Sequence, residues 1–250
     1  MKKLVLLLLT VTLLAASGAA QDVSDQDLLD AMDAARFVGV TSFTFTVEVV
    51  ADRPDGTDQA LVQLFFKENV DGDQLFRIEF LQPEDMAGEV FITNPDGTFL
   101  WNPDLVTPLK VGGGQEVFGD ASVAETAGIR FANGDYAVAA RTEVSLEDGT
   151  PALEVKLEAT APQVAFQSAT VMVDPIDFKP LQMRLFALGG DPINDVTFEE
   201  YGDLNGDSYA ARQLIESQFV EGNKTLMTIT SIEAKDLSDD LFDPSKLGQE

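Results

Sequence analysis

Ser42-Phe43-Thr44-Phe45-Thr46-Val47-Glu48-Val49-Val50 is the stretch whose reading decides the fold class. In an extended chain Phe43, Phe45, Val47 and Val49 point one way, and Thr44, Thr46 and Glu48 point the other. A period of two sustained over a whole segment marks a β-strand with one greasy face and one polar face. The next two segments repeat the pattern. Asp55-Gly56-Thr57 supplies a turn, after which Val62, Leu64 and Phe66 share a face within residues 59–67. Asp71-Gly72-Asp73 supplies another, and Phe76, Ile78 and Phe80 then alternate with Arg77 and Glu79.

Outward from these three strands the sequence keeps the same rhythm. Short apolar strands are predicted at 89–93 and 98–102, joined by Asn94-Pro95-Asp96-Gly97, in which Pro fixes φ and Gly permits positive φ. Further strands are predicted at 136–146, 152–160, 169–173, 181–187, 195–201, 210–217 and 225–234. Turns recur every ~8 to 15 residues, the spacing of an antiparallel meander. Between the two runs lies a less regular stretch with Gly112-Gly113-Gly114 and a short helix expected at 121–129. One amphipathic helix is predicted over 24–37, capped by Ser24, with Leu28, Leu29, Met32 and Ala35 on its apolar side and Gly39 as its stop. It is expected to pack on a sheet edge or over an opening. The tail, 237–247, is expected to hold a helical turn carrying Leu241 and Phe242. The fold class is therefore mainly β.

The first twenty residues read as a targeting segment. Lys2 and Lys3 precede an apolar run from Leu4 to Leu14, and small residues follow up to Ala20. That order is a secretory signal peptide, with cleavage expected after Ala20. The apolar run is shorter than the ~20 residues a spanning helix needs. No cysteine follows it, so acylation of a cysteine cannot anchor the chain. A soluble periplasmic or external protein is expected, with one domain over residues 21–250 and a monomeric state.

Composition narrows the function. The chain carries 43 Asp and Glu against 16 Lys and Arg, a formal charge of −27. Losing Lys2 and Lys3 takes it from −27 to −29. Phosphate backbones and anionic lipid surfaces are poor partners for such a surface, so no nucleic acid is expected. Histidine and cysteine are both absent. That removes the commonest general base, the Ser-His-Asp arrangement, thiol nucleophiles and most zinc sites. No enzyme, cofactor or metal is expected. Asp203, Asn205 and Asp207 alternate as in a calcium loop, but Gly206 stands fourth rather than sixth, and a polar hairpin turn is the favoured reading. The three Asp-Gly-Thr copies, at 55–57, 96–98 and 148–150, read as hairpin turns. Asn223-Lys224-Thr225 matches a glycosylation acceptor at another turn.

What remains is apolar surface. Phe43, Phe45, Val47, Val62, Leu64, Phe66, Phe76, Ile78 and Phe80 gather on one face of the opening strands, in a chain with 17 Phe. An ordinary barrel or sandwich core accounts for that composition. The sharper reading is a half-open barrel whose inner wall receives acyl chains, for which fluid tails need dispersion contacts and few polar groups.

The whole chain from Asp27 to Leu247 also resembles the LolA-like family of outer-membrane lipoprotein-sorting and carrier proteins. The resemblance is carried by a helix leading into Ser42-Phe43-Thr44-Phe45-Thr46. It continues in Phe76-Arg77-Ile78-Glu79-Phe80-Leu81-Gln82-Pro83-Glu84-Asp85-Met86-Ala87-Gly88 and in Phe99-Leu100-Trp101-Asn102-Pro103. Phe118-Gly119-Asp120-Ala121-Ser122, Asn133-Gly134-Asp135-Tyr136 and the end from Ile232 through Phe242 complete it. The resemblance implies an incomplete antiparallel barrel with short helices as a lid, and a hydrophobic cavity for lipoprotein or lipid acyl chains. It implies an inner-membrane donor transporter and an outer-membrane acceptor. The alternative implied by other relatives of this fold is a lipid-sensing module that binds a membrane-protein partner. An Arg helps to hold the lid shut in the best-known branch. Arg77 matches it in residue type alone, and its alternation puts it opposite the Phe face, so that role is not carried over.

Overall fold

The computed structural model describes residues 23–36, 39, 41–162 and 164–248. The expected signal segment and its cleavage site, and Phe37 at the end of the expected helix, lie outside the described residues. Among the described residues no helix is long and apolar enough to cross a membrane.

The chain opens with α1 (Asp25–Ala34), whose Ser24 hydroxyl accepts from the Asp27 N–H at 3.1 Å. The helix is shorter than its periodicity predicts. Its last turn tightens, with Arg36 N–H bonding the Asp33 carbonyl three residues back, because the Asp33 and Arg36 side chains are drawn into contacts elsewhere. Strands β1 (Ser42–Arg53), β2 (Gly56–Glu68), β3 (Gln74–Gln82), β4 (Val90–Asn94), β5 (Gly97–Trp101) and β6 (Leu109–Val111) follow as a meander. After the connecting pieces β7 (Glu116–Phe118), β8 (Ala121–Ser122) and α2 (Val123–Ala127) come β9 (Tyr136–Ser145), β10 (Pro151–Ala159) and β11 (Ser168–Val173). The meander then closes with β12 (Pro180–Phe186), β13 (Pro192–Leu204), β14 (Asp207–Ser217) and β15 (Lys224–Ala234).

Thirteen of these strands form a single antiparallel sheet. Its order is β6-β5-β4-β3-β2-β1-β15-β14-β13-β12-β11-β10-β9. The first and last strands pair at the middle, so one meander runs outward to β6 and the other runs inward from β9. The edges β6 and β9 do not pair with one another, and the barrel stays open. The chain must therefore travel from one edge to the other, and residues 112–135, with β7, β8 and α2, make that journey.

Register sets the concave face. Phe43 pairs with Phe66, Phe45 with Leu64 and Val47 with Val62. Phe66 in turn pairs with Phe76, Leu64 with Ile78 and Val62 with Phe80. The period of two then puts all nine on one side. A register shift at Thr46/Val47 against β15 bends β1 across the core. α1 adds Leu28, Leu29 and Met32 to the same core, and it sits beside β9, where Arg141 Nη1 donates to the Val23 carbonyl at 2.7 Å.

The opposite face of β3 and β4 has a smaller core of its own. Leu75, Val90 and Ile92 meet Leu237 and Phe242 of the tail. The tail is fastened by side chains from three successive strands. Lys67 Nζ donates to the Leu237 carbonyl at 2.5 Å, Arg77 Nη1 to Leu241 at 3.3 Å and Asn94 Nδ2 to Phe242 at 3.1 Å. The expected helical turn is present as a 3-10 turn, Asp239–Phe242. The three Asp-Gly-Thr copies lie at strand–strand turns, as expected. Asn205 and Gly206 both take positive φ between β13 and β14, the conformation a two-residue hairpin needs. Asp207 Oδ2 there accepts from the Gly39 N–H at 3.0 Å.

Candidate ligand cavity

The concave face holds a cavity of about 60 Å³ beneath Arg36 and, on the edge-to-edge crossing, Glu125, Thr126 and Gly128. Phe43, Phe45, Val47, Phe66 and Phe76 form one wall; Phe198, Met227, Ile229 and Ile232 form much of the other. Four of these rings close on one another: Phe43–Phe66 at 4.9 Å, Phe43–Phe45 at 5.7 Å, Phe66–Phe76 at 6.0 Å and Phe45–Phe76 at 6.3 Å between centroids. The two Phe76 contacts are edge-on, a favourable arrangement for ring quadrupoles. Val62, Leu64, Ile78 and Phe80 share the face but are buried away from the cavity. Phe80 lies under the crossing, 6.3 Å from the Phe118 ring.

The charged groups in the cavity wall, among the described residues, are Arg36 and Glu125. Each is the centre of a polar fastening that alternation could not reveal. Asp33 and Arg36 are paired at 2.9 Å with side chains only 8% and 4% exposed. The Asp33 carboxylate also accepts from the N–H groups of Phe131 and Ala132, each at 2.9 Å. Arg36 donates to the Ile129 carbonyl, and its guanidinium lies 4.4 Å from the centre of the Phe131 ring. The end of α1 thus grips residues 129–132 through two carboxylate–amide bonds, one guanidinium–carbonyl bond and one cation–π contact. Arg77, by contrast, is bonded to Glu79 and the tail carbonyl of Leu241, on the far side of the sheet from the Phe quartet.

The second fastening holds α2. Ser122 and Glu125 form a capping box, with Ser122 N–H donating to Glu125 Oε2 at 3.0 Å and Ser122 Oγ accepting from Glu125 N–H at 3.2 Å. The other carboxylate oxygen accepts from Asn194 Nδ2 of β13 at 2.8 Å. Burial pushes the Glu125 carboxyl above its ordinary range, against the lowering effect of its bonds to Ser122 and Asn194. Next to it, Asp120 N–H donates to Thr225 Oγ1 of β15 at 2.9 Å. Gly119 is required for that approach: a Cβ there would lie 2.3 Å from Thr225 Oγ1 at a φ of +62°. The crossing is therefore pinned to the sheet on one side and to α1 on the other.

This architecture, an open antiparallel half-barrel with a hydrophobic concave face beneath short helices, is that of the LolA-like proteins. A LolA superfamily protein from Nitrosomonas europaea superposes with a TM-score of 0.77 at 19% identity, covering 88% of this chain and 98% of that one. A DUF1329 family protein from Desulfovibrio piger gives 0.75 at 16%, covering 89% and 97%. A domain named for outer membrane lipoprotein sorting, from Vibrio parahaemolyticus, gives 0.75 at 14%, covering 89% and 97%. No curated protein matches the chain. A family model described as "-like: Uncharacterized protein" matches residues 72–249, and the chain belongs to that family.

Proposed function

We propose that this protein is a periplasmic carrier. It takes the acyl chains of lipoproteins or related lipids into the concave cavity and shuttles them from an inner-membrane donor towards an outer-membrane acceptor. Residues 21–250 act as one domain after removal of the signal segment, and no bond is made or broken. The single observation behind this reading is the cavity walled by Phe43, Phe45, Phe66 and Phe76 and roofed by a chain segment outside the large sheet, which hydrogen bonds to Asp33 and Asn194 hold while Val117, Val123, Ile129 and Phe131 pack into the core. In the closed form about 60 Å³ is available, well under the ~150 Å³ that takes a benzene-sized guest. Loading therefore requires the roof to move.

The test is extraction of the protein purified from a native-like host with organic solvent, followed by mass spectrometry, together with uptake of fluorescent acyl lipid by the stripped protein. Bound acyl lipid or lipoprotein, or stoichiometric uptake, supports the carrier. A protein that leaves the host empty and takes up no lipid overturns it.

A further inference from the structure

The wall of the acyl cavity carries polar groups as well as rings. Arg36, Glu125, Thr126, Tyr209 and Gln213 all border it. Three of them are held by the protein itself. Arg36 is paired with Asp33, the Glu125 carboxylate accepts from Ser122 and Asn194, and the Thr126 hydroxyl donates to the Ser122 carbonyl at 2.8 Å. The Tyr209 hydroxyl and the Gln213 side-chain amide have no hydrogen-bond partner among the described residues.

The surroundings of these two groups differ. Tyr209 stands near the β13–β14 turn, and its ring lies across Gly202, where a Cβ would come within 2.4 Å of Tyr209 Cζ. Gln213 stands further along β14, half-buried, paired with Phe198 of β13 on one side and with Met227 of β15 on the other. Both neighbours line the cavity, and they are only 7% and 6% exposed. Between Tyr209 and Gln213 the ladder with β13 slips at Glu200/Tyr201, and Ala210 and Ala211 both border the cavity there. The cavity wall beside the amide on its own strand is therefore two methyl groups. Water can serve the amide while the cavity holds no ligand. An acyl chain that fills the cavity displaces that water, and a buried amide left without a partner is costly.

We infer that Gln213 selects the ligand: its side-chain amide takes a group that both donates and accepts a hydrogen bond, an amide or a hydroxyl set on an acyl chain. The inference rests on the carrier reading and deepens it by naming the polar group that the chain carries. A carboxamide offers two N–H donors and a carbonyl acceptor. An ester has acceptors alone, so it serves the Gln213 NH₂ and leaves the Gln213 carbonyl facing grease. A bare hydrocarbon serves neither. A secondary amide or a hydroxyl supplies the missing donor as well. Sites built to bond a polar group reject analogues lacking it far more strongly than apolar pockets discriminate by size.

Calorimetry with N-methyldecanamide, methyl 3-hydroxydecanoate and methyl decanoate, probes of one chain length, tests the inference. An amide or a hydroxyl is itself harder to desolvate than an ester, so the quantity compared is the change in affinity ratio between wild type and variant. Gln213→Met keeps the length of the side chain and removes its amide. It should cut the affinity for the amide probe, the hydroxyl probe or both by about fivefold or more relative to methyl decanoate, the scale of one neutral hydrogen bond. The probe that loses affinity identifies which of the two groups the site reads. In the wild type the side-chain NH₂ resonances of Gln213 should move when a probe binds, a readout that needs no variant. Unchanged ratios for both polar probes in the folded variant overturn the subsite and leave the carrier standing. So do NH₂ resonances that stay in place while calorimetry shows binding, and so does an equal loss of all three probes, which marks Gln213 as packing alone. Binding of no probe at all by the wild type overturns both.

Discussion

Truncating Asp33 to alanine removes the group on which the α1 fastening converges. Its carboxylate accepts from two backbone N–H groups and from the Arg36 guanidinium, all within 3.0 Å, and the Asp33–Arg36 pair is almost fully buried. Removing one partner of a buried pair costs about 3–5 kcal/mol, because a charge is left without its counterpart. The orphaned N–H groups of Phe131 and Ala132 add to this if the roof stays shut, at ~1–3 kcal/mol each. Asp33 holds residues 131 and 132 through two carboxylate–amide contacts, about 1.5–3 kcal/mol each, so local opening there should become easier by about 3 kcal/mol or more. Each 1.4 kcal/mol is tenfold, so hydrogen exchange at the Phe131 and Ala132 amides should accelerate by at least about 100-fold. Amides of β1 and β2, in the middle of the sheet, should change far less. Arg36→Leu should act in the same direction, and the double variant should cost less than the sum of the two singles, since the residues share one buried ion pair. Additive costs in the double variant, or equal acceleration across the whole sheet, would refute the idea of a separable fastening.

Three further outcomes are expected. Phe45→Glu should leave the protein folded, because Phe45 is only partly buried, yet cut lipid uptake by about tenfold or more by placing a charge in the cavity wall; loss of the folded state in circular dichroism would show Phe45 to be core instead. Glu125 holds its proton above the ordinary value of 4.5 in the folded protein, so its contribution to stability is full below that value and is lost as the pH rises through the raised one. Glu125→Gln should therefore reduce the fall in urea midpoint as the pH rises above 4.5, and an unchanged slope would remove Glu125 from the account. Phe242→Ala should cost about 3–5 kcal/mol in urea unfolding through the tail core, with lipid uptake preserved; a loss of uptake would mean that the two cores are not independent.

The sheet was legible in the sequence because β-strands advertise themselves by local alternation. Strand after strand in the sequence reading falls within a residue or a few of its observed position, and the Phe43, Val62 and Phe76 series share a face through register alone. Which members of that face border empty space was not legible. Val62, Leu64, Ile78 and Phe80 alternate as regularly as Phe43 and Phe45, yet they are closed over, and that difference is made by residues 112–135 arriving from elsewhere in the chain. The polar fastenings were hidden for the same reason. Asp33 and Arg36 read as two more charges at a helix end, and their meaning depends on amides 98 and 99 residues away. One local signal was available: Ser122 and Glu125 have the spacing of a capping box, which identifies the start of α2 although not its bond to Asn194. Arg77 was rightly set on the far face by alternation; the arginine that bonds the crossing is Arg36, two residues past the end of α1.

The fastening and the cavity together set a threshold on chain length. If loading must break the α1 contact, the ligand has to offset at least the two Asp33–amide contacts, about 3–6 kcal/mol together, before any net binding appears. Burial of acyl chain returns ~0.8 kcal/mol per methylene, so about the first four to eight methylenes only open the roof. Beyond that point affinity should rise about fourfold with each added methylene. A series of monoacylglycerols from butanoyl to hexadecanoyl, measured below their aggregation limits, should thus show no binding at the short end and a steep rise from the middle of the series. The same series on the Asp33→Ala protein separates this account from simple hydrophobic partition. With these contacts gone, the onset should move to shorter chains by about four to eight methylenes, with the slope per methylene unchanged, since the walls of Phe43, Phe45, Phe66 and Phe76 are untouched. An onset that does not move shows that lipid enters without lifting residues 129–132, and the cavity must then open by displacement of another part of the crossing.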